Sequence, residues 1–296
     1  FLSELLGSAA LAECDDVVLA PMSGITDRPF RRAVRRDGGG LVVSEMIASH
    51  AVLQDVGREM RKWKGGARDE SPLSIQIVGW DPDIMAEAAQ MAEQLGAAII
   101  DINLGCPAKK VTGRLSGSAL MQFPENAARI FASVVRAVSV PVSVKMRLGW
   151  SDEYRNAPDI ARRAEQSGIR FLAVHGRTRT QMYKGNVDWS DIRKTVEAVT
   201  LPVLVNGDIN SIHDARQARY ASSAAGVMVG RGAQGRPWLL GQISDSLNNR
   251  PVRPKPVFAH RHENIRIHLD DMLHDFGHRA IKLFRKHMAS YADYLP

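Results

Sequence analysis

The sequence predicts an α/β protein, a (β/α)8 TIM barrel followed by a small C-terminal helical domain, and three observations carry that expectation. Eight short apolar runs recur at a spacing of roughly 30 residues, and runs buried on both faces belong to a parallel sheet. Segments with helix-start and helix-stop signals lie between them. Polar or ionisable residues sit inside or just after consecutive runs, where packing alone does not call for them. An open doubly wound sheet is the alternative topology. Its Gly-rich dinucleotide fingerprint is missing after the first run, where the chain reads Ala20-Pro-Met-Ser-Gly24.

In chain order, Val17–Ala20 is the first strand, closed by Pro21. Thr26 or Asp27 caps a helix over 28–36 with Pro29 in its first turn, and Gly38–Gly40 stops it. Leu41–Ser44 is the second strand, ending at Glu45. Residues 55–70 are polar and read as a long loop or short helices. Leu73–Val78 is the third strand; Asp81 and Pro82 open a helix that Gly96 ends. The fourth strand is Ala98–Asn103, broken by Gly105 and Pro107. A helix over 125–138 leads to the fifth strand, Val140–Met146, and a helix over 157–167 to the sixth, Phe171–His175. After a helix over 189–199 comes the seventh strand, Pro202–Asn206. Asp208, Asn210 or Ser211 caps the next helix, and Ala225–Val229 is the eighth strand. Residues 1–240 are therefore assigned to the barrel. Asn248–Pro256 reads as a proline- and cation-rich linker, and residues 245–296 as a helical appendage with amphipathic helices over 258–274 and 277–291.

Composition narrows the class. With 45% hydrophobic residues and mixed charge, the 296 residues suit a sizeable core, and no apolar run reaches membrane-spanning length. Two cysteines, Cys14 and Cys106, are too few for a disulfide framework, and the N-terminal stretch has no basic n-region, so a cytoplasmic setting is expected. The balance of 39 Lys+Arg against 32 Asp+Glu gives +7, which suggests a polyanionic partner.

The strand ends supply the chemistry. In this fold the site is built at the carboxyl ends of the strands. Read in order, these positions hold Pro21 and Met22, Glu45, Gln76, Asn103 with Cys106, Lys145 with Arg147, His175, Asn206-Gly-Asp208 and Gly230-Arg231. Burying Gln76, Lys145 or His175 unpaired costs several kcal/mol each, so these side chains are expected to converge on a polar ligand. Asn206-Gly-Asp208 and Gly230-Arg-Gly232 follow strands seven and eight, the usual phosphate corner, where glycine backbones approach phosphate oxygens and Arg231 adds a charge-assisted pair. Lys145 suits a ring edge that gains charge on reduction, and Gln76 satisfies a donor and an acceptor on one heterocycle edge. FMN fits this set better than a sugar phosphate, with a Schiff-base role for Lys145 as the rival reading. Cys106, on a loop beside Lys109 and Lys110, is placed to give or take a proton. Lys109, Lys110 and Arg114 are read as substrate contacts at the entrance. Cys14 is expected to be inert. His260, His262, His268, His274, His278 and His287 are expected to form a solvated helix surface, with no metal site.

Ala-Pro-Met-Ser-Gly-Ile-Thr-Asp-Arg-Pro-Phe (20–30), Ser-Glu-Met (44–46), Gln-Ile (76–77), Asp-Ile-Asn-Leu-Gly-Cys-Pro-Ala-Lys-Lys (101–110), Val-Lys-Met-Arg (144–147), Val-His-Gly-Arg-Thr-Arg (174–179), Asn-Gly-Asp-Ile (206–209) and Gly-Arg-Gly (230–232) resemble the tRNA-dihydrouridine synthases. They are most similar to the bacterial B-type branch. The resemblance runs through roughly residues 15–240 and extends more loosely to the C-terminal helices. Ser23 stands where many members carry Ala.

The resemblance implies FMN in the barrel mouth, NADPH as reductant, and reduction of a D-loop uridine in tRNA. A monomer is expected, with residues 245–296 as a tRNA-binding domain and the D-arm of tRNA as the partner. It assigns FMN to Pro21, Met22, Ser23, Gln76, Lys145, His175, Asn206, Gly207, Asp208, Gly230 and Arg231. Cys106 is the acid, Asn103 touches the uracil, and Lys109, Lys110, Arg147 and Arg177 contact the substrate. The chemistry is consistent with those residues: hydride adds at C6 of the conjugated C5=C6 bond while an acid protonates C5. The target base must first turn out of its stack. A small-molecule FMN oxidoreductase of the dihydroorotate-dehydrogenase kind and a non-catalytic tRNA-binding factor are the competing expectations.

Overall fold

The computed structural model describes residues 2, 16–49 and 70–294. Strands β1 (Val17–Leu19), β2 (Val42–Val43), β4 (Leu73–Val78), β5 (Ile99–Leu104), β6 (Val142–Arg147), β7 (Phe171–His175), β8 (Val203–Asn206) and β9 (Gly226–Val229) pair in parallel, each with its neighbour. Pairing of β2 with β4 and of β1 with β9 closes them into an eight-stranded barrel. A further two-residue strand, β3 (Ile47–Ala48), rejoins β4 at Ile77 and Val78. The second expected strand, Leu41–Ser44, is observed as Val42–Val43 and ends before Glu45, which accepts from the Gly24 N–H at the rim; β3 has no counterpart among the expected strands. Cys14 and nearly all of the polar 55–70 segment lie outside the described residues.

Period-two alternation separates two environments along each strand. Val18, Ala20, Leu41, Val43, Ile99, Phe171, Ala173, Leu204 and Met228 fill the barrel interior. The alternate residues, among them Ile75, Ile100, Ile102, Val144 and Val205, face the helical ring. Continuing the inward series toward the strand ends gives Asp101 and Asn103 on β5, Lys145 on β6, His175 on β7 and Asn206 on β8. The interior therefore changes from apolar to polar at one end.

The ring begins with α1 (Arg28–Arg36), α2 (Pro82–Gln94), the single turn α3 (Lys109–Thr112) and α4 (Pro124–Ala137). It continues with α5 (Ala157–Gln166), α6 (Trp189–Val196), α7 (Ile212–Ser222) and α8 (Leu239–Leu247). Asp27, Asp81, Asp188 and Ser211 cap α1, α2, α6 and α7 by accepting otherwise orphaned N–H groups. Ser211 thus takes the cap from among the three expected candidates. Helix α8 spans the expected 240/245 boundary and packs on α7 and β1.

The appendage is an antiparallel pair, α9 (Phe258–Phe276) and α10 (Arg279–Ala292), laid against α1. Asn264 Nδ2 donates to both carboxylate oxygens of Asp37 at 3.0 and 2.8 Å, and Arg36 reaches Asp271 at 2.8 Å. The proline-rich 248–256 segment is held by Arg253, which bridges the Asp245 carboxylate and the Asp37 carbonyl. One expectation fails here. His268 and His287 are buried, at 0% and 3% exposure, because they lie on the inward stripes Asn264–His268–Met272 and Ala280–Phe284–His287–Tyr291 that pack against the barrel and each other. Burial pushes the His268 pKa down to about 3, so its imidazole is neutral. His260, His262, His274 and His278 are exposed as expected.

Candidate active site

The polar end of the barrel opens into a cavity of about 420 Å³. All eleven positions assigned to cofactor binding line it, from Pro21 and Met22 through Gln76, Lys145 and His175 to Asn206–Asp208 and Gly230–Arg231. Asn103, Cys106 and Arg147 line it as well. Its volume falls within the range of ordinary ligand sites.

On the floor a hydrogen-bonded chain crosses from β6 to the thiol loop. Asp101, fully buried, accepts from Ser143 Oγ at 2.6 Å and from Gln76 Nε2 at 2.6 Å. Desolvation raises its pKa, while the two donors and nearby Lys145 act against that shift. Gln76 Oε1 accepts from Asn103 Nδ2 at 2.7 Å, and Asn103 Oδ1 accepts from the Gly105 and Cys106 N–H groups at 3.0 and 2.9 Å. Asn103, expected on the uracil, is thus the brace of the loop that carries Cys106. From the other side Ser118 donates its N–H and its hydroxyl to the Cys106 carbonyl, at 3.1 and 2.8 Å. Gly117, at φ +61°, permits that approach: a Cβ there would lie 3.0 Å from the Cys106 oxygen.

Lys145 reaches up from β6 and donates to Asn206 Oδ1 at 3.0 Å. Burial, reinforced by Arg147, lowers its pKa from 10.5 to about 8. His175 is driven well below its usual pKa by burial and then by Lys145, Arg147, Arg177 and Arg231, which fixes it as a neutral donor and acceptor at pH 7. At the phosphate corner Asp208, at φ +49°, accepts from Arg231 at 2.6 Å and from Arg177. Burial would raise its carboxyl, yet the two guanidinium groups outweigh this and hold it below the ordinary value. Gly207 sits at φ +119° with its Cα against the His175 ring, where a Cβ would come within 2.7 Å of Cδ2.

The substrate set divides. Lys109 and Lys110 are exposed on α3, beside Ala108 at the cavity edge. Arg147 and Arg177 are each 2% exposed. Arg147 donates to the Gly105, Thr178 and Met182 carbonyls at 2.7, 2.9 and 2.8 Å, and Arg177 to Gly185 and Asp208. Their described bonds hold loops. Two contributors were not singled out from the sequence. Asp101 shares its inward face with Asn103, and its i, i+2 spacing is the signal for it. Tyr183 lies under the Arg147 and Arg231 guanidinium groups, 5.3 and 5.5 Å from its ring centroid; no pattern in its loop marks it.

A parallel barrel whose polar mouth gathers a cationic corner after its last strands and a thiol on the facing loop has the layout of a (β/α)8-barrel enzyme with its site at the carboxyl ends of the strands. The chain belongs to the dihydrouridine synthase (Dus) family, whose model matches residues 18–296. It is 48% identical over 282 residues to a probable tRNA-dihydrouridine synthase of Rickettsia bellii, covering 95% of this chain and 86% of the relative. A probable tRNA-dihydrouridine synthase of Rhodobacter capsulatus is 47% identical over 278 residues, 94% of this chain and 86% of the relative. A tRNA-dihydrouridine synthase B of Xanthomonas axonopodis pv. citri is 43% identical over 277 residues, 93% and 83% of the two chains. Among the described residues no helix is long and apolar enough to cross a membrane.

Proposed function

We propose that this chain reduces the C5=C6 bond of a D-loop uridine in tRNA to 5,6-dihydrouridine, with FMN at the barrel mouth and NADPH as the reductant. The observation that carries this reading is the presence of Cys106 in the same cavity as Lys145, Gln76 and the Asn206–Asp208 and Gly230–Arg231 corner. The relatives' names supply the RNA class, and the +7 charge suits a polyanion.

The donor set fits a phosphate-bearing flavin. Gly230 is open toward the cavity, since a Cβ there would meet only Met22 Sδ at 3.5 Å and Ala20 at 3.7 Å. Arg231, with its side chain 55% exposed, and the adjacent backbone suit the phosphate, and the half-buried Lys145 ammonium suits a ring edge that becomes anionic. Gln76, clamped by Asp101 and Asn103, keeps one N–H and one lone pair for the heterocycle.

Bound FMN supplies the hydride. The protein's own part is acid chemistry and positioning. Cys106 delivers its proton to C5 as C6 is reduced, which requires the thiol form. Asn103 and Ser118 fix the height of the thiol loop over the cavity. Lys109 and Lys110, exposed at the rim, draw RNA phosphates to the entrance, and the target base turns outward to enter.

The test measures flavin absorption of the purified chain, NADPH oxidation with and without unmodified tRNA, and dihydrouridine in the product. Oxidation that depends on tRNA and yields dihydrouridine is expected. A yellow protein that oxidises NADPH at the same rate without RNA and leaves uridine intact would favour small-molecule chemistry.

A further inference from the structure

Away from the cavity, the described residues gather a second set of ligand-type side chains. Asp27 at the start of α1, His268 on α9 and His287 on α10 are all buried. One carboxylate oxygen and two ring nitrogens from them lie within 4.8 Å of one another. The Nε2 atoms of both histidines have no hydrogen-bond partner. His287 Nε2 lies 3.6 Å from Asp27 Oδ2, beyond hydrogen-bond reach. Two buried, unsatisfied imidazole nitrogens beside one carboxylate are destabilising unless something joins them.

The surroundings orient these donors. His268 Nδ1 is 3.0 Å from the Tyr291 hydroxyl. A proton on Nδ1, donated to that oxygen, leaves the Nε2 lone pair facing the cluster, as outer partners do for metal-bound histidines. Phe30 stacks on the His287 ring at 5.4 Å, and Phe284 meets His268 edge-on at 5.1 Å. Asp27 Oδ1 is already engaged in capping Phe30 N at 3.1 Å, so Oδ2 is the oxygen available.

We propose that Asp27, His268 and His287 form a structural site for a divalent transition metal, with Zn²⁺ the best match to two imidazoles and one carboxylate. Donors about 2.0–2.1 Å from a tetrahedral ion stand roughly 3.3 Å apart. The widest pair would therefore close by at most about 1.5 Å on binding, and water would complete the shell. The ion would fasten both appendage helices to Asp27. One residue before it, Thr26 Oγ1 accepts from Met22 N–H at 2.8 Å in the cavity wall. The site is separate from the proposed chemistry, since none of its three residues lines the cavity.

The test uses the full chain, produced without a polyhistidine tag. Its metal content is measured before and after dialysis against a chelator, and the chelated protein is titrated with zinc alone and with cobalt(II) alone. Uptake of one equivalent, a rise in Tm that saturates at one equivalent, and the visible absorption of tetrahedral cobalt are expected. His287→Gln should abolish uptake. Asp27→Asn, which keeps the capping oxygen and hence the fold, should weaken it at least about tenfold. A wild-type chain that takes up no stoichiometric metal overturns the proposal. So does metal bound with equal affinity by both variants, which would locate it at other donors.

Discussion

Lys145 on β6 donates to Asn206 on β8 at 3.0 Å, across the intervening strand β7. Burial, and then the neighbouring Arg147, disfavour the ammonium in this position and lower its pKa to about 8. The unfolded chain holds that proton up to about 10.5 and the folded chain only to about 8. Between those values the unfolded state binds more protons, so stability rises with pH; below pH 8 the full penalty is present. In flavin-free protein, Lys145→Met should raise stability at pH 7 by up to about 3 kcal/mol. The gain should shrink as the pH rises from 8 to 10, and the same variant should lose flavin. Denaturant midpoints across that pH range check the first claim, and absorption after gel filtration checks the second.

Cys106→Ala separates the two half-reactions. Reduction of the flavin by NADPH should proceed at the wild-type rate. Dihydrouridine formation from the reduced enzyme should fall by about 10²–10⁴-fold, the range for loss of a positioned acid. Stopped-flow absorbance followed by product analysis reads both. An unchanged second step would remove the thiol from the mechanism.

Asn103→Ala tests the brace. It strips an acceptor from two loop N–H groups and a donor from Gln76 without altering Cys106 itself. Single-turnover uridine reduction should drop by about 10²-fold through displacement of the acid, with the flavin retained.

Two substitutions at the appendage should differ although both remove a polar contact to the barrel. Asn264 is 5% exposed and its loss leaves the buried Asp37 carboxylate short of two hydrogen bonds. Asn264→Ala should cost about 1–3 kcal/mol. Asp271 pairs with Arg32 and Arg36 at a partly exposed surface, and Asp271→Ala should stay within about 1 kcal/mol. Urea midpoints at constant slope decide between them.

The barrel was legible because each strand carries its own signal. Apolar runs such as Phe171–Val174 end in a polar residue, and Asp81–Pro82 and Gly96 mark where a helix starts and stops. The cavity-lining residues were legible for the same reason, since strand ends in a closed barrel have one place to converge. Side-chain partners were not. That Arg147 holds carbonyls of two loops depends on where Thr178 and Met182 fold back, and local sequence says nothing of that. The histidines are a third case. Titratable character suggested solvent, but His268 and His287 fall in register with Met272 and Phe284, and that periodicity set their burial.

Arg147 joins Gly105, one residue before the thiol, to Thr178 and Met182 in the loop that carries Tyr183. Two segments far apart in the chain therefore share a single fastening. Lengthening the 178–182 turn by one residue would shift the anchor of the cysteine loop even though no residue near the cysteine had changed. The two loops are therefore geometrically coupled, and grafting one of them from a relative without the other should shift Cys106 relative to the cavity.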